Sequence, residues 1–165
     1  MKVLITGGKS ALALKMLKAF AQYQVILADY GEMPDFPSTT CKFVSLGEKN
    51  EEILAHNLLN HCLDEEIDLV LPLHAFEIVA IAKAKTLFGE FNIDVLLPND
   101  HDMPHYLNAS GSEKPKKWAV FMNGNVLFQS FTAEEGVAVA ESSTLSGAFY
   151  INEVQSVANL TLITI

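Results

Sequence analysis

The opening of the chain constrains its fold more than any other segment. A strand-like segment at residues 2–6, apolar at positions 3–5, ends at the adjacent glycines Gly7 and Gly8, and a segment with helical spacing follows from Ala11. Apolar runs without alternation are typical of strands that are covered on both faces of a sheet. A strand, a glycine turn and a helix in this order predict a nucleotide-type α/β domain, in which a helix N-terminus directs backbone N–H groups toward an anion.

Strand-like and helix-like segments alternate over residues 1–100. The opening strand is followed by predicted strands at 24–28, 42–45, 67–72 and 93–97 and by predicted helices at 11–22, 51–63 and 75–88. Alternation at this spacing predicts βαβ units with right-handed crossovers. The expected fold class is therefore α/β, with a Rossmann-like doubly wound parallel sheet of about five strands.

The pattern changes after Pro98. Residues 101–117 are polar and interrupted by prolines and a glycine, with a short helix predicted at 102–107. Strands are then predicted at 118–122, 126–131, 137–141, 148–152 and 157–165, with a hairpin at Asn123-Gly124-Asn125. The expected organisation is a Rossmann-like domain over 1–100, a linker over 101–117 and a small antiparallel β-rich extension over 118–165.

Composition excludes several classes of function. The net charge of −9 argues against a nucleic-acid partner, which needs a basic surface. All eleven basic residues are lysines, so an anion would be bound by backbone N–H groups, a helix dipole, lysine or another chain. The chain has no apolar run of about 18 or more residues and no signal-peptide pattern at its start, so we expect a cytoplasmic protein without membrane contact. Cys41 and Cys62 are expected to be reduced thiols.

The glycine loop is the first candidate binding site. Gly7, Gly8, Lys9 and Ser10 lie at a strand-to-helix turn, where a backbone cradle for a small anionic or nucleotide ligand is expected. The alternative is a tight turn with no ligand. The loop lacks the G-x-G-x-x-G spacing of dinucleotide-binding proteins, and it is not a P-loop.

Three further residues follow other strands of the predicted sheet. Asp29 ends the second strand, where an acid can accept hydrogen bonds from ribose hydroxyls; the alternative is a solvated aspartate. His74 and Glu77 follow the fourth strand and are expected at the same sheet edge as Gly7. They are candidates for substrate binding or proton transfer. The alternative for Glu77 is capping of the next helix, and the alternative for His74 is a purely structural role.

Other catalytic patterns are missing. His101 and His105 are four residues apart, but Pro104 interrupts a regular helical face, so no metal site is predicted. No G-x-S-x-G nucleophile elbow is present. No tyrosine is followed by lysine at a spacing of four residues, which argues against a complete short-chain dehydrogenase. The sequence therefore identifies no catalytic residue and leaves open whether the protein is an enzyme.

Residues 1–100 resemble the N-terminal pre-ATP-grasp domain of ATP-grasp ligases, especially carbamoyl-phosphate-synthase-like carboxylate–amine ligases. The resemblance rests on Val3-Leu4-Ile5-Thr6-Gly7-Gly8, on Val25-Ile26-Leu27-Ala28 before Asp29, on Ile67-Asp68-Leu69-Val70-Leu71-Pro72 before Glu77, and on Val95-Leu96-Leu97-Pro98-Asn99. In that family the glycine loop and the residues after the fourth strand help to form the substrate pocket. The resemblance thus implies ligand contact by Gly7, Gly8, Asp29 and Glu77.

The chain departs from that family after residue 100. Only 48 residues follow Lys117, and none of them is lysine or arginine, whereas the family continues with an ATP-binding lysine, a glycine-rich flap and metal-binding residues. The first expectation is therefore a small-ligand-binding or accessory domain that is not a complete ligase. One alternative is an NAD(P)-binding protein that uses Gly7 and Asp29. Another is a non-catalytic scaffold that forms a homodimer through residues 118–165.

Overall fold

A computed structural model describes residues 1–33, 41–107, 117–131, 144–154 and 157–165. The predicted strand at 137–141 lies outside the described residues, as does most of the predicted linker. The chain divides into two compact units. The first comprises Met1–Val95 together with Thr164–Ile165, and the second comprises Leu96–Ile163.

The first unit is built on a five-stranded parallel sheet. Its strands are β1 (Lys2–Ile5), β2 (Gln24–Asp29), β3 (Cys41–Ser45), β4 (Leu69–Leu71) and β5 (Asp94–Val95), in the order β3-β2-β1-β4-β5. All four ladders are parallel, which confirms the predicted α/β fold. The chain moves outward from β1 to β3 and then crosses back to β4. The strand order therefore reverses between β1 and β4, where open α/β sheets form a ligand-binding crevice.

Apolar side chains explain why these segments form the inner strands. The side chains of β1 at positions 3–5 and of β4 at positions 69–71 are at most 1% exposed. Continuous burial of this kind belongs to strands that are covered on both faces. The sheet interior thus follows directly from the apolar runs of the sequence.

The helices of the first unit are shorter than the sequence pattern predicts. They are α1 (Ala11–Met16), α2 (Leu54–Asp64), α3 (Ala75–Lys83) and α4 (Lys85–Glu90), and a 3₁₀ turn (Leu17–Phe20) follows α1. The predicted helix at 75–88 is interrupted at Ala84, whose N–H is shared between the carbonyls of Ala80 at 3.2 Å and Ile81 at 3.0 Å. Shared bonds of this kind are common at helix ends.

The second unit contains a separate antiparallel sheet. It comprises α5 (Met103–Leu107) and strands β6 (Lys117–Met122), β7 (Asn125–Gln129), β8 (Gly147–Val154) and β9 (Val157–Leu162), in the order β7-β6-β8-β9. Asn123 and Gly124 have φ values of +48° and +78°, which is the combination required by a type I′ hairpin. The predicted hairpin is confirmed. Within the described ranges, no helix is long and apolar enough to cross a membrane.

Candidate functional site at the edge of the parallel sheet

Two glycines shape the turn that follows β1. Gly7 has a φ of +70°, a conformation that favours glycine over residues with a side chain. Gly8 lies against β2, where its N–H donates to the carbonyl of Ala28 at 2.9 Å. A Cβ at Gly8 would lie 2.9 Å from the carbonyl carbon of Leu27. The backbone of the turn therefore requires glycine at both positions, independently of any ligand.

The amide N–H groups of Gly8, Lys9 and Ser10 in this turn are engaged by acceptors within the chain. Lys9 N–H donates to Asp29 Oδ2 at 3.0 Å, and Ser10 N–H donates to the carbonyl of Gly7 at 2.8 Å. Ser10 Oγ accepts from the N–H of Ala13 at 3.0 Å and so caps α1. The predicted contact of this loop with an anion stays a prediction, and it requires these donors to exchange their present partners.

Asp29, at the end of β2, is paired with His74, which follows β4. Asp29 Oδ1 and His74 Nε2 are 2.9 Å apart, and the two side chains are only 7% and 16% exposed. Asp29 Oδ1 also accepts from the N–H of Tyr30 at 2.8 Å. Both carboxylate oxygens of Asp29 therefore have partners. The predicted hydrogen bond from a ribose hydroxyl to Asp29 stays a prediction.

Glu77 is completely buried in the first turn of α3 and accepts three hydrogen bonds. They come from the hydroxyl of Thr6, from the hydroxyl of Tyr30 at 3.0 Å and from the N–H of His74 at 3.2 Å. The hydrogen bond from the His74 N–H means that Glu77 caps α3, which is the alternative role predicted for this residue from the sequence. The same side chain also joins β1, β2 and α3 at one sheet edge.

Burial sets the protonation behaviour of this cluster. It raises the pKa of Glu77 above its ordinary value, and the hydrogen bond from Thr6 and the charge of His74 oppose that shift. Burial also raises the pKa of Tyr30, and the charge of Glu77 raises it further. Both groups therefore hold a proton more tightly than they would in water, as is common in binding and catalytic sites.

Thr6 and Tyr30 belong to the site but were not selected from the sequence. The hydroxyl of Thr6 accepts from the N–H of Leu73 at 2.7 Å while it donates to Glu77, so it connects the ends of β1 and β4. The sequence pattern places Thr6 at the end of the first strand, directly after the apolar positions 3–5. Tyr30 directly follows Asp29, and its position after a parallel strand was a usable signal.

The crevice between the ends of β1 and β4 contains Ile165. The N–H of Ile165 donates to the carbonyl of Leu73 at 2.8 Å, and its carbonyl accepts from the N–H of Ala75 at 3.0 Å. A Cβ added to Gly7 would overlap the Cδ1 atom of Ile165. The missing side chain of Gly7 therefore provides the space in which the isoleucine side chain lies.

An aromatic group lies beside this crevice. The rings of His74 and Phe76 are stacked with their centroids 4.8 Å apart. The centroid of the Tyr30 ring lies 5.4 Å from that of Phe76. The Nζ atom of Lys49 lies 4.0 Å from the centre of the Phe76 ring. Phe76 is 38% exposed, so part of this aromatic surface faces solvent.

The arrangement can orient and hold polar groups. Asp29 fixes the orientation of the His74 imidazole through their contact, and Glu77 accepts hydrogen bonds from the hydroxyls of Thr6 and Tyr30. Among the residues described, no group of three or more His, Cys, Asp or Glu side chains is arranged to hold a metal ion.

No family model matches this chain, and a comparison with curated proteins finds no match.

Proposed function

We propose that these residues form a small-ligand-binding or accessory domain, related to the substrate-side N-terminal domain of ATP-grasp carboxylate–amine ligases. The binding site of this proposal is the crevice between the ends of β1 and β4. The observation that carries it is a convergence of side chains at this single edge, at or after the ends of three different strands: Thr6, Asp29, Tyr30, His74 and Glu77.

The charges at this edge favour a ligand without a large negative charge. Asp29 and Glu77 are both acidic, and the loop amide of Lys9 already binds the carboxylate of Asp29. A polyphosphate would bring further negative charge close to these two carboxyl groups. We therefore place neutral or weakly charged small molecules first, and nucleotides are the alternative.

A binding panel tests the proposal. Protein NMR or calorimetry would be used with three sets of compounds: ATP with Mg²⁺, NADH and NADPH, and small carboxylates, amines and amides. We expect a compound of the third set to bind and Glu77→Gln to weaken its binding, while ATP is neither bound nor hydrolysed. Clear ATP hydrolysis would contradict the proposal, and a saturating fluorescence response to NADH would favour the NAD(P)-binding alternative.

The exposed edge of the second unit supports a separate proposal. Strand β7 ends the sheet order and pairs with β6 alone among the described strands, and its Val126 is 48% exposed. Unpaired edges can add a strand from a second molecule. We propose homodimer formation through the 118–165 region, at the β7 edge.

Sedimentation velocity tests this second proposal. Val126→Lys is expected to convert a dimer into a monomer, because a charged edge residue opposes strand addition. Val79→Lys on α3 is the matched control, since Val79 is 43% exposed. A wild-type protein that is monomeric at high concentration would exclude the dimer.

A further inference from the structure

The position of Ile165 indicates what the crevice recognises. The backbone N–H and carbonyl of Ile165 bond to Leu73 and Ala75, the residues on either side of His74. This is the bonding pattern of one residue in a parallel β-ladder. The crevice thus offers one acceptor and one donor at the spacing required by an extended peptide unit.

The backbone N–H of Ala75 is available as a donor because of its position at the start of α3. Ala75 is the first residue of α3, where backbone N–H groups have no partner within the helix. Its N–H is satisfied by the carbonyl of Ile165 at 3.0 Å. A carbonyl or carboxylate oxygen in this position therefore satisfies a donor that the fold itself leaves open.

The side chain of the occupant fits a defined space. Gly7 lacks the Cβ that would overlap Ile165 Cδ1, and the Cβ of Leu73 lines the same space. Leu73 is fully buried, whereas Ile165 is 41% exposed. A partly exposed occupant that is held by two backbone hydrogen bonds can exchange with another group of the same shape.

We infer that the crevice binds an acylated residue with a branched aliphatic side chain, in an extended conformation, and that Ile165 occupies this site in competition with it. The inference rests on the proposed ligand-binding function and names the ligand class. The recognised chemistry is a carbonyl oxygen, an amide N–H and an aliphatic side chain. A blocked amino acid and a segment of an apolar peptide both provide it.

NMR titration with N-acetyl-isoleucine N-methylamide tests this inference. Ile165→Ala is expected to bind the probe at least tenfold more tightly than the wild type, because residue 165 without its isoleucine side chain is held less firmly and its two backbone bonds exchange more readily with the probe. The amide signals of Gly7, Leu73 and Ala75 should shift. Ile53→Ala, at an isoleucine that is 48% exposed near the start of α2, is the control and should behave as the wild type does.

Two further arms make the test specific. N-acetyl-glycine N-methylamide lacks the side chain and should bind Ile165→Ala at least tenfold more weakly than the isoleucine probe. In the double variant with Gly7→Ala, the added methyl group should abolish binding in a protein whose NMR spectrum shows that it is folded.

An acetylated, amidated Gly-Gly-Ile-Gly-Gly peptide identifies a peptide as the source if it binds tenfold more tightly than the single residue. Equal binding identifies a blocked amino acid.

The inference is overturned if Ile165→Ala does not bind the isoleucine probe, or if it binds the glycine probe equally well. Equal affinity of the wild type and Ile165→Ala for the isoleucine probe also overturns it, because Ile165 would not then compete. The broader proposal of a ligand-binding crevice fails separately, when Ile165→Ala binds none of the small molecules in the wider panel.

Discussion

Glu77 is the residue whose chemistry depends most on its surroundings. In the sequence it is an acid in the first turn of a helix, where it is expected to interact favourably with the helix dipole. In the structure it also accepts hydrogen bonds from the hydroxyls of Thr6 and Tyr30, which lie at distant positions in the sequence. Its burial raises its pKa, and that shift is measurable through stability.

Glu77→Gln removes the titration of this group. Because the pKa of Glu77 is raised in the folded protein, its protonation favours folding, and this contribution is complete below the unfolded-state pKa of about 4.5. The contribution is lost as the pH rises through the folded-state pKa. The free energy of unfolding of the wild type, relative to Glu77→Gln, should therefore fall with increasing pH. Urea denaturation over a pH series measures it.

Glu66 provides a control with the opposite sign. Its hydrogen bond from Lys2 lowers its pKa, so its stabilising contribution is present at neutral pH and is lost as the pH falls. The difference between the wild type and Glu66→Gln should therefore decrease toward acid pH. If the Glu77→Gln and Glu66→Gln differences change with pH in the same direction, the assignment of the Glu77 shift is wrong.

Gly8→Ala tests the close contact between the glycine loop and β2. The added Cβ would lie 2.9 Å from the backbone of Leu27, so we expect a loss of about 1–3 kcal/mol in the free energy of unfolding. Gly89→Ala in α4 is the matched control because the position is open, and it should be neutral or stabilising by about 0.4–1 kcal/mol. Equal effects of the two substitutions in urea denaturation would show that the loop is not closely packed on β2.

Part of the site could be predicted residue by residue, because the ends of parallel strands meet at one edge. That rule selects Asp29, His74 and Glu77 from their positions after apolar runs. It does not select Thr6, whose place directly after an apolar run conceals its role in the site. It also cannot find Ile165, because a pairing of one residue with a segment about ninety residues away has no local pattern.

At the scale of elements, strands were easier to predict than helix ends. The apolar runs identify the inner strands, since their burial on both faces leaves little choice of side chain. Helix lengths depend on tertiary contacts that outweigh local propensity. The segment predicted as a helix at 11–22 forms α1 and a 3₁₀ turn, and the one at 75–88 is divided between α3 and α4.

The start of α1 depends on Ser10. Its hydroxyl accepts from the N–H of Ala13, so Ser10→Ala should reduce the free energy of unfolding by about 0.5–2 kcal/mol. Ser10→Asp retains a capping oxygen and should restore most of that loss. Thermal or urea denaturation compares the variants. Equal losses in the two variants would show that the cap contributes little.

At the scale of the whole chain, the sequence predicts the change from alternating α and β elements to β structure. It does not predict that Thr164 and Ile165 belong with residues 1–95, after the intervening second unit. Apolar periodicity describes which residues are buried within an element. It contains no information about which crevice a short extended segment enters.

The central claim is that the crevice between β1 and β4 is the binding site of this domain. Chemical-shift mapping of Ile165→Ala, titrated with the panel of nucleotides, small carboxylates, amines and blocked amino acids, tests it most directly. We expect any compound that binds to shift the amide signals of Gly7, Leu73, Ala75 and Glu77 at lower ligand concentrations than those of β6–β9. Shifts centred on the second unit, or no saturable shift with any compound, would contradict it.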